Sequence, residues 1–256
     1  MLSGENISFV IDKKPLLSNT TVQFAPGLFH VIMGANGAGK STLLKILAGD
    51  VKPSSGRVLI GGTPLAQLSK KVLATQRAVL SQHYHISFPI AVSDIVMMGR
   101  YPYYSNQPTA IDREICERAL ERLDVAKFRD RDYGTLSGGE AQKVQMSRVL
   151  AQIGREAISG KTLFLDEPVS HLDIKYQYQL LEAAKELCKE GVTVIAVLHD
   201  INLAISFADR ILFMKSSNMA YEVHSASALT PAMLQDIFDV QATILQPGAH
   251  KPVVIF

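Results

Sequence analysis

The run from Gly34 to Ser41 combines glycines with a lysine and a hydroxyl, the groups that proteins use to bind phosphate. Its sequence, GANGAGKS, matches the pattern G-x-x-x-x-G-K-[ST]. Consecutive backbone amides in such a loop curl round phosphate oxygens, and side chains at the glycines would obstruct them. Lys40 would reach the β- and γ-phosphates, and Ser41 would offer its hydroxyl to Mg²⁺. The sequence therefore predicts a nucleotide site formed by Gly34, Ala35, Asn36, Gly37, Ala38, Gly39, Lys40, Ser41 and Thr42.

Two adjacent carboxylates follow a second apolar segment, KTLFLDEP, which reads as a buried strand. Polar residues at the carboxyl end of such a strand lie where α/β sheets bind ligands. Asp166 is expected to hold Mg²⁺ through water, and Glu167 to polarise an attacking water. The alternative is an ordinary polar strand end beside Pro168.

His199 and Gln82 complete the predicted catalytic set. His199 follows the apolar run Val192–Leu198, and Gln82 follows another apolar stretch. We expect His199 to contact the γ-phosphate and Gln82 to contact Mg²⁺ or water. A structural histidine and a surface-loop glutamine remain the alternatives.

The segment LSGGEAQKVQMSR, from Leu136 to Arg148, places two glycines at the start of a predicted helix. Ser137 and Glu140 fit a capping box, but capping alone does not require Gly138 and Gly139. Glycine is tolerated where something must approach the backbone closely, and the amides at a helix N-terminus attract anions. The sequence thus predicts a second anion site here.

The elements that position these residues alternate between strand and helix, which predicts an α/β fold with a mostly parallel sheet. A strand over 28–33 precedes the phosphate loop, and a helix begins at about Lys40 and ends at Gly49. Between these units, Gln82 to Gln152 reads as helical: Ser93 is expected to cap a short helix that Gly99 ends, and 112–123 repeats apolar residues at helical spacing. We expect a core of 1–84 and 153–256 and a helical subdomain of 85–152. Near the end, Thr230 should cap a helix with Pro231 in its first position, followed by a short strand.

Composition excludes several classes of protein. The chain has 256 residues, is 47% hydrophobic and carries a net charge of +2, so a nucleic-acid partner is not expected. Two cysteines without a C-x-x-C motif argue against a disulfide framework. The N-terminus does not resemble a signal peptide, and the longest clean apolar run is too short to cross a bilayer.

The ordered set GANGAGKS, Gln82, LSGGE, LFLDEP, SHLD and His199 resembles the ATP-binding subunits of ATP-binding cassette (ABC) transporters over nearly the whole chain. The resemblance implies a P-loop NTPase (RecA-like) core with an inserted helical subdomain. It also implies an ATPase coupled to import, with ATP and Mg²⁺ as cofactors.

In that family two subunits pack head to tail. The resemblance therefore implies that Ser137, Gly138 and Gly139 meet the γ-phosphate of ATP held by a second copy, while Asp173 crosses the interface. Val169 and His171 depart from the threonine and alanine that are usual in this segment. The family stacks adenine on an aromatic residue near the end of the first strand. Phe9 is the candidate, with Ile11 two residues later and expected on the same face.

The segment from Ala78 to Tyr103 resembles the ATPases of haem, ferric-siderophore and cobalamin importers, and hemin import ATPases are the most similar group. The segments LSGGEAQKVQMSRVLAQ, IGREAISGK and TPAMLQDIF…KPVVIF also favour hemin import. The implied partners are membrane permease subunits, contacted through 82–103, and indirectly a periplasmic substrate-binding protein. The implied location is peripheral, at the cytoplasmic face of the bacterial inner membrane.

Several alternatives remain open. They are siderophore or cobalamin import, a non-transport ABC ATPase that acts on DNA or ribosomes, and a binding module without hydrolysis. His83 and His85, at i, i+2 spacing, invite a metal-ligand interpretation, but a loop facing the membrane partner is preferred. Met97 and Met98 are expected to pack or to contact a partner.

Overall fold

The structure, a computed structural model, describes residues 1–82, 84, 86–154, 159–170, 172–248 and 251–256. The strands are β1 (Leu2–Ile11), β2 (Lys14–Phe24), β3 (Phe29–Gly34), β4 (Ser55–Ile60), β5 (Thr63–Pro64), β6 (Arg77–Leu80), β7 (Thr162–Asp166), β8 (Thr193–Val197), β9 (Arg210–Lys215), β10 (Asn218–Val223), β11 (Thr243–Leu245) and β12 (Val253–Ile255). The α-helices are α1 (Lys40–Ala48), α2 (Lys70–Gln76), α3 (Val92–Met98), α4 (Ala110–Arg122), α5 (Gly138–Ile153), α6 (Ile174–Lys189), α7 (Ile201–Phe207) and α8 (Pro231–Phe238).

The central sheet has the order β10-β9-β3-β8-β7-β6, and all its pairs are parallel except β9 with β10. Its inner strands are buried on both faces, which explains why they read as continuous apolar runs rather than alternating ones. Because β3, β6, β7 and β8 run in the same direction, their carboxyl ends meet at one edge of the sheet. The predicted α/β fold is confirmed.

Alternate residues of the central strands enter two separate apolar clusters. Ile32 and Phe164 belong to one cluster, together with α1 and the antiparallel sheet of order β2-β1-β4-β5. Val31 and Leu165 belong to the other cluster, together with residues of α3 to α7. The sheet is therefore covered on both faces, and α1 packs with both sheets.

The helices α3, α4 and α5 lie between β6 and β7 in the chain, where a helical block is expected. The capping box of α5 forms as predicted, and α8 begins with Thr230 as cap and Pro231 in its first turn. Met97 and Met98 pack against the larger cluster.

The expected cap of α3 is wrong. Ala91, not Ser93, is the N-cap, and it offers no side-chain hydrogen bond. Ala91 instead forms a β-bridge with Asp132, and the Val92 amide donates to the carbonyl of Arg131. Backbone pairing with residues distant in sequence therefore fixes the start of α3. The local sequence had predicted Ser93, two residues later, as the cap. Within the described residues, no helix has both the length and the apolar character that crossing a membrane requires.

Candidate functional site

The phosphate loop connects β3 to α1 and has three glycines with positive φ. A Cβ at Gly34 would lie 2.2 Å from the carbonyl oxygen of Met214, and one at Gly39 would lie 2.5 Å from that of Leu16. These two glycines are therefore required by the fold itself. Gly37 differs, because a Cβ there would meet no atom within 4 Å in the described part of the chain, although its φ is 79°. Gly37 leaves the surface of the loop open to a ligand.

Lys40 begins α1 and is buried. Its ammonium donates to the carbonyl oxygens of Gly34 and Ala35 at 2.9 and 3.0 Å. Burial lowers the pKa of Lys40, and the nearby carboxylates of Glu167 and Asp166 partly oppose that shift. The ammonium thus lies inside the loop, where a phosphate would be a stronger partner than two neutral carbonyls.

Ser41 and Asp166 meet where β7 ends beside the start of α1. The Ser41 hydroxyl donates to Asp166 Oδ1 at 2.8 Å, and Asp166 is buried. Burial raises the pKa of Asp166, against the lowering effect of the Ser41 hydrogen bond and of nearby lysines. A metal cation at this carboxylate would add to the effect of the lysines and favour its ionised form.

Glu167 follows β7 with φ of 50°, a left-handed conformation that is uncommon for a glutamate. Its Oε2 accepts a hydrogen bond from Gln82 Nε2, and its Oε1 lies 2.7 Å from His199 Nε2. The Gln82 contact is also 2.7 Å long. Strained backbone of this kind occurs at functional sites that the surrounding structure holds in place. The structure brings together the three predicted catalytic residues.

The donor set at this edge fits Mg²⁺. The Ser41 hydroxyl, the Asp166 carboxylate and the Gln82 amide oxygen are hard oxygen ligands of the type that this ion prefers. The Ser41 hydroxyl is already hydrogen-bonded to Asp166. Gln82 donates to Glu167, the residue that follows Asp166 in the chain.

The segment from Leu136 to Glu140 forms a reciprocal cap. Ser137 Oγ accepts from the Glu140 amide, and Glu140 Oε2 accepts from the Ser137 amide at 2.8 Å. The hydrogen bonds that the Glu140 carboxylate accepts from the amide and the hydroxyl of Ser137 lower the pKa of Glu140. A Cβ at Gly138 would meet no atom of the described residues within 4 Å, and one at Gly139 would make an ordinary contact with Leu172 at 3.5 Å. Neither glycine has a positive φ, so the described part of the chain gives no reason for them.

A cavity of about 310 Å³ lies against this cap. Its lining includes Ser137, Gly139, Lys143, Asp173 and Tyr176, and none of its described lining residues belongs to the phosphate loop. Asp173 is exposed and caps α6, accepting from the Tyr176 amide at 3.1 Å. The cap of α5 and the start of α6 therefore face the same space.

The adenine candidates differ in burial. Phe9 is half-buried and packs against the smaller apolar cluster, whereas Ile11 is exposed. The pairing of β1 with β2 is irregular on both sides of Phe9, and the extra residues lie in β2. Val10 and Ile11 are both exposed. The shared face of Phe9 and Ile11 stays a prediction.

Two contacts next to the predicted site residues are not predicted in the sequence analysis. Asp200 caps α7 directly after His199, accepting from the amides of Asn202 and Leu203. An aspartate before an apolar helical run is a recognised signal and could have revealed this cap. Gln142 donates to the carbonyl of Pro168, beside Glu167. No local signal predicts that contact. His83, His85, His171 and the insert around 155–158 lie outside the described residues.

A family model and known proteins are similar in sequence to this chain. The ABC transporter family model matches residues 17–170. The hemin import ATP-binding proteins HmuV of Rhodopseudomonas palustris (strain HaA2) and Bordetella pertussis (strain Tohama I) are 39% and 40% identical to this chain. The alignments cover 99% and 95% of this chain, and 96% and 94% of those proteins.

Solved structures of ABC proteins share the fold of this chain. An ABC transporter assigned to the metal-chelate type, in an inward-facing conformation, has a TM-score of 0.80 at 24% identity, covering 100% of this chain and 97% of that one. A dimeric bacterial ABC transporter cassette has a TM-score of 0.77 at 25% identity, covering 88% and 98%. The chain therefore belongs to the ABC transporter family.

Proposed function

We propose that this chain is the ATP-hydrolysing subunit of a bacterial ABC importer and that the imported molecule is haem. The observation that carries the ATPase proposal is the Gln82–Glu167–His199 cluster, placed beside Ser41, Asp166 and the phosphate loop. The names of the relatives, hemin import ATP-binding proteins, support the choice of cargo.

In this proposal the backbone amides and Lys40 bind the phosphates of ATP. Ser41, Asp166 and Gln82 would hold Mg²⁺, which supplies positive charge that offsets the phosphate oxygens. The Lys40 ammonium exchanges its carbonyl partners for a phosphate oxygen when nucleotide binds. Phe9 is proposed to contact adenine.

Glu167 acts as the general base in this proposal. Its two oxygens are fixed by Gln82 and His199, so the carboxylate is oriented before substrate arrives. It accepts a proton from the water that attacks the γ-phosphate. His199 orients Glu167 and contacts the γ-phosphate.

A second copy of the chain completes each site. Gly138 and Gly139 carry no side chain beside the first amides of a capped helix, where an anion from outside the chain would approach. The partner's γ-phosphate would bind there, and Asp173 would lie in the interface. We assign the core to 1–84 and 153–256 and the helical part to 85–152.

The membrane permease is proposed to dock on 82–103. Phe88 and Tyr101 are both exposed in this segment, as large apolar contact residues would be. The chain would then act peripherally, at the cytoplasmic face of the inner membrane, with the periplasmic binding protein contacted only through the permease.

Glu167→Gln tests the catalytic assignment. We expect ATP binding to persist and turnover to fall by about 10²- to 10⁴-fold, because the amide cannot accept the proton. The measurements are phosphate release and nucleotide affinity, with the exposed helical variant Glu182→Gln as control. Lys40→Ala should instead lose nucleotide affinity. Full hydrolysis by Glu167→Gln would refute the assignment.

Uptake by proteoliposomes that contain the assembled transporter tests the cargo. We expect ATP-dependent accumulation of labelled haem, which Glu167→Gln abolishes. Accumulation of labelled cobalamin or ferric siderophore without haem would overturn the haem proposal and leave the ATPase proposal intact.

A further inference from the structure

Tyr84 lies between β6 and α3, two residues after Gln82, and its hydroxyl is fully used. Tyr84 Oη accepts a hydrogen bond from the Ser81 amide at 2.6 Å and donates to the carbonyl oxygen of Val79 at 3.1 Å. It also accepts from Arg148 Nη2 at 3.0 Å. A phenol has one donor and two acceptor positions, so all three have partners here.

Arg148 belongs to α5, the helix that Ser137 caps. Its guanidinium also donates to the carbonyl oxygen of Val79 at 3.2 Å and lies 5.2 Å from the Tyr84 ring centroid. Its Nε donates to Gln145 Oε1, and Gln145 in turn donates to Tyr133 Oη. The hydrogen bond to Gln145 of the same helix thus holds Arg148 in one orientation. In that orientation its guanidinium donates to Val79 in β6 and to Tyr84.

These contacts connect two parts of the site that are far apart in sequence. Ser81 immediately precedes Gln82, and Gln82 donates to Glu167. A continuous path therefore runs from Glu167 through Gln82, Ser81 and Tyr84 to Arg148. Along α5 that path ends at the Ser137 cap.

We propose that Tyr84 is a positioning residue of the ATPase centre, whose hydroxyl couples the orientation of α5 to the position of Gln82. This inference rests on the proposed function, in which the cap of α5 binds the ATP of the second copy. When that ATP draws α5 into place, Arg148 and Tyr84 carry the displacement to Gln82 and so to Glu167 of the same chain. Occupation of one site thereby aligns the base of the other.

Tyr84→Phe removes the hydroxyl and retains the aromatic ring, which isolates the coupling from packing. We expect kcat for ATP to fall by about tenfold or more, because a small misplacement of a catalytic group has effects of that size. Nucleotide affinity of the monomer should change by less than about twofold, since the Tyr84 hydroxyl bonds to Ser81, Val79 and Arg148 rather than to the phosphate loop. The Hill coefficient of hydrolysis should fall toward about 1 as the two sites become independent.

Tyr221→Phe is the control. Tyr221 lies in β10, at the opposite edge of the sheet from β6, and its hydroxyl donates to Asp236 Oδ2 at 3.2 Å, away from Gln82. It should retain kcat and cooperativity. Wild-type kcat and Hill coefficient in Tyr84→Phe, or equal losses in both variants, would overturn the proposal.

Hydrogen–deuterium exchange separates this proposal from the ATPase proposal. In the wild-type chain, ATP should protect both α5 and the segment 77–82, whereas in Tyr84→Phe it should protect α5 alone. If wild-type protein binds ATP without hydrolysing it, the proposed function fails, and the exchange pattern still decides the role of Tyr84. Protection of both segments in Tyr84→Phe would refute it.

Discussion

Glycine residues in this chain separate the requirements of folding from those of function. Gly99 has an ordinary φ, yet a Cβ there would lie 2.2 Å from the carbonyl oxygen of Arg148, so close packing of α3 on α5 requires it. Among the described residues, none lies close enough to Gly138 to impose such a constraint. A residue that destabilises a helix without serving the isolated fold is best explained by an external ligand.

Gly138→Ala should therefore lower activity without harming the fold. Alanine favours helix over glycine by up to about 1 kcal/mol, so the melting temperature should stay constant or rise slightly. ATP hydrolysis should fall by at least about tenfold, because the methyl group occupies the path of the approaching phosphate. Thermal unfolding and phosphate release measure the two effects.

Gly99→Ala is the opposite case and serves as its comparison. Its added methyl meets backbone rather than a flexible side chain, so the melting temperature should fall. A Gly138→Ala variant with normal hydrolysis would contradict the external-ligand explanation.

Site residues were predictable where motif spacing fixes their geometry. The phosphate loop, Asp166, Glu167, His199 and Gln82 all follow parallel strands, and the sheet brings their carboxyl ends to one edge. The irregular pairing of β1 with β2 on either side of Phe9 was not predictable. Such irregularities depend on the partner strand rather than on local sequence.

At the scale of elements, Arg100 joins the three helices of the inserted block. It follows α3, donates to Asp112 Oδ1 at 2.9 Å in α4, and donates to the carbonyl of Ala151 at 3.0 Å in α5. Asp112 Oδ2 also accepts from Thr109, closing the capping box of α4. Burial opposes ionisation of Asp112, but its hydrogen bonds from Thr109 and Arg100 outweigh burial, and the pKa lies below the ordinary value.

Asp112→Ala should destabilise the chain by about 3–5 kcal/mol at neutral pH, because it leaves the buried Arg100 charge without its carboxylate. The difference from wild type should persist above about pH 4, near the unfolded pKa of aspartate. It should shrink as pH falls through the lowered folded pKa, where the wild-type carboxylate also becomes neutral. Urea unfolding at several pH values measures this.

The exposed Asp130→Ala is the control and should unfold like wild type. An Asp112→Ala variant of unchanged stability would show that the Arg100 pair does not hold the block together.

Element boundaries were predictable where caps are local and missed where they are not. The cap of α5 needs only Ser137 and Glu140, and both hydrogen bonds form. The start of α3 is set by backbone pairing with 131–132, some 40 residues later in the chain. Gly99 was expected to end α3, and it does. Its backbone lies in the right-handed helical region, so close packing on α5, and not a left-handed turn, requires glycine at this position.

At the scale of the whole molecule, the two proposed halves of an ATP site lie in separate places on one chain. The phosphate loop and its catalytic cluster lie at the sheet edge, while the cavity at the α5 cap is lined by none of the phosphate-loop residues among those described. A dimeric ABC cassette shares this fold over 88% of the chain. Head-to-tail pairing of two copies would place each half beside its complement.

Mixing two inactive variants tests that arrangement directly. Lys40→Ala disables a phosphate loop and Ser137→Arg disables a cap, so neither homodimer has a complete site. In a mixed dimer, one site combines both defects, whereas the other combines an intact loop with an intact cap. Half of the dimers are mixed at equal concentrations, so hydrolysis should recover to at most about a quarter of wild type.

The double variant Lys40→Ala/Ser137→Arg mixed with Lys40→Ala offers no intact pair and should stay inactive. Sites contained within single chains would give no recovery in either mixture, because no exchange of partners could then repair them.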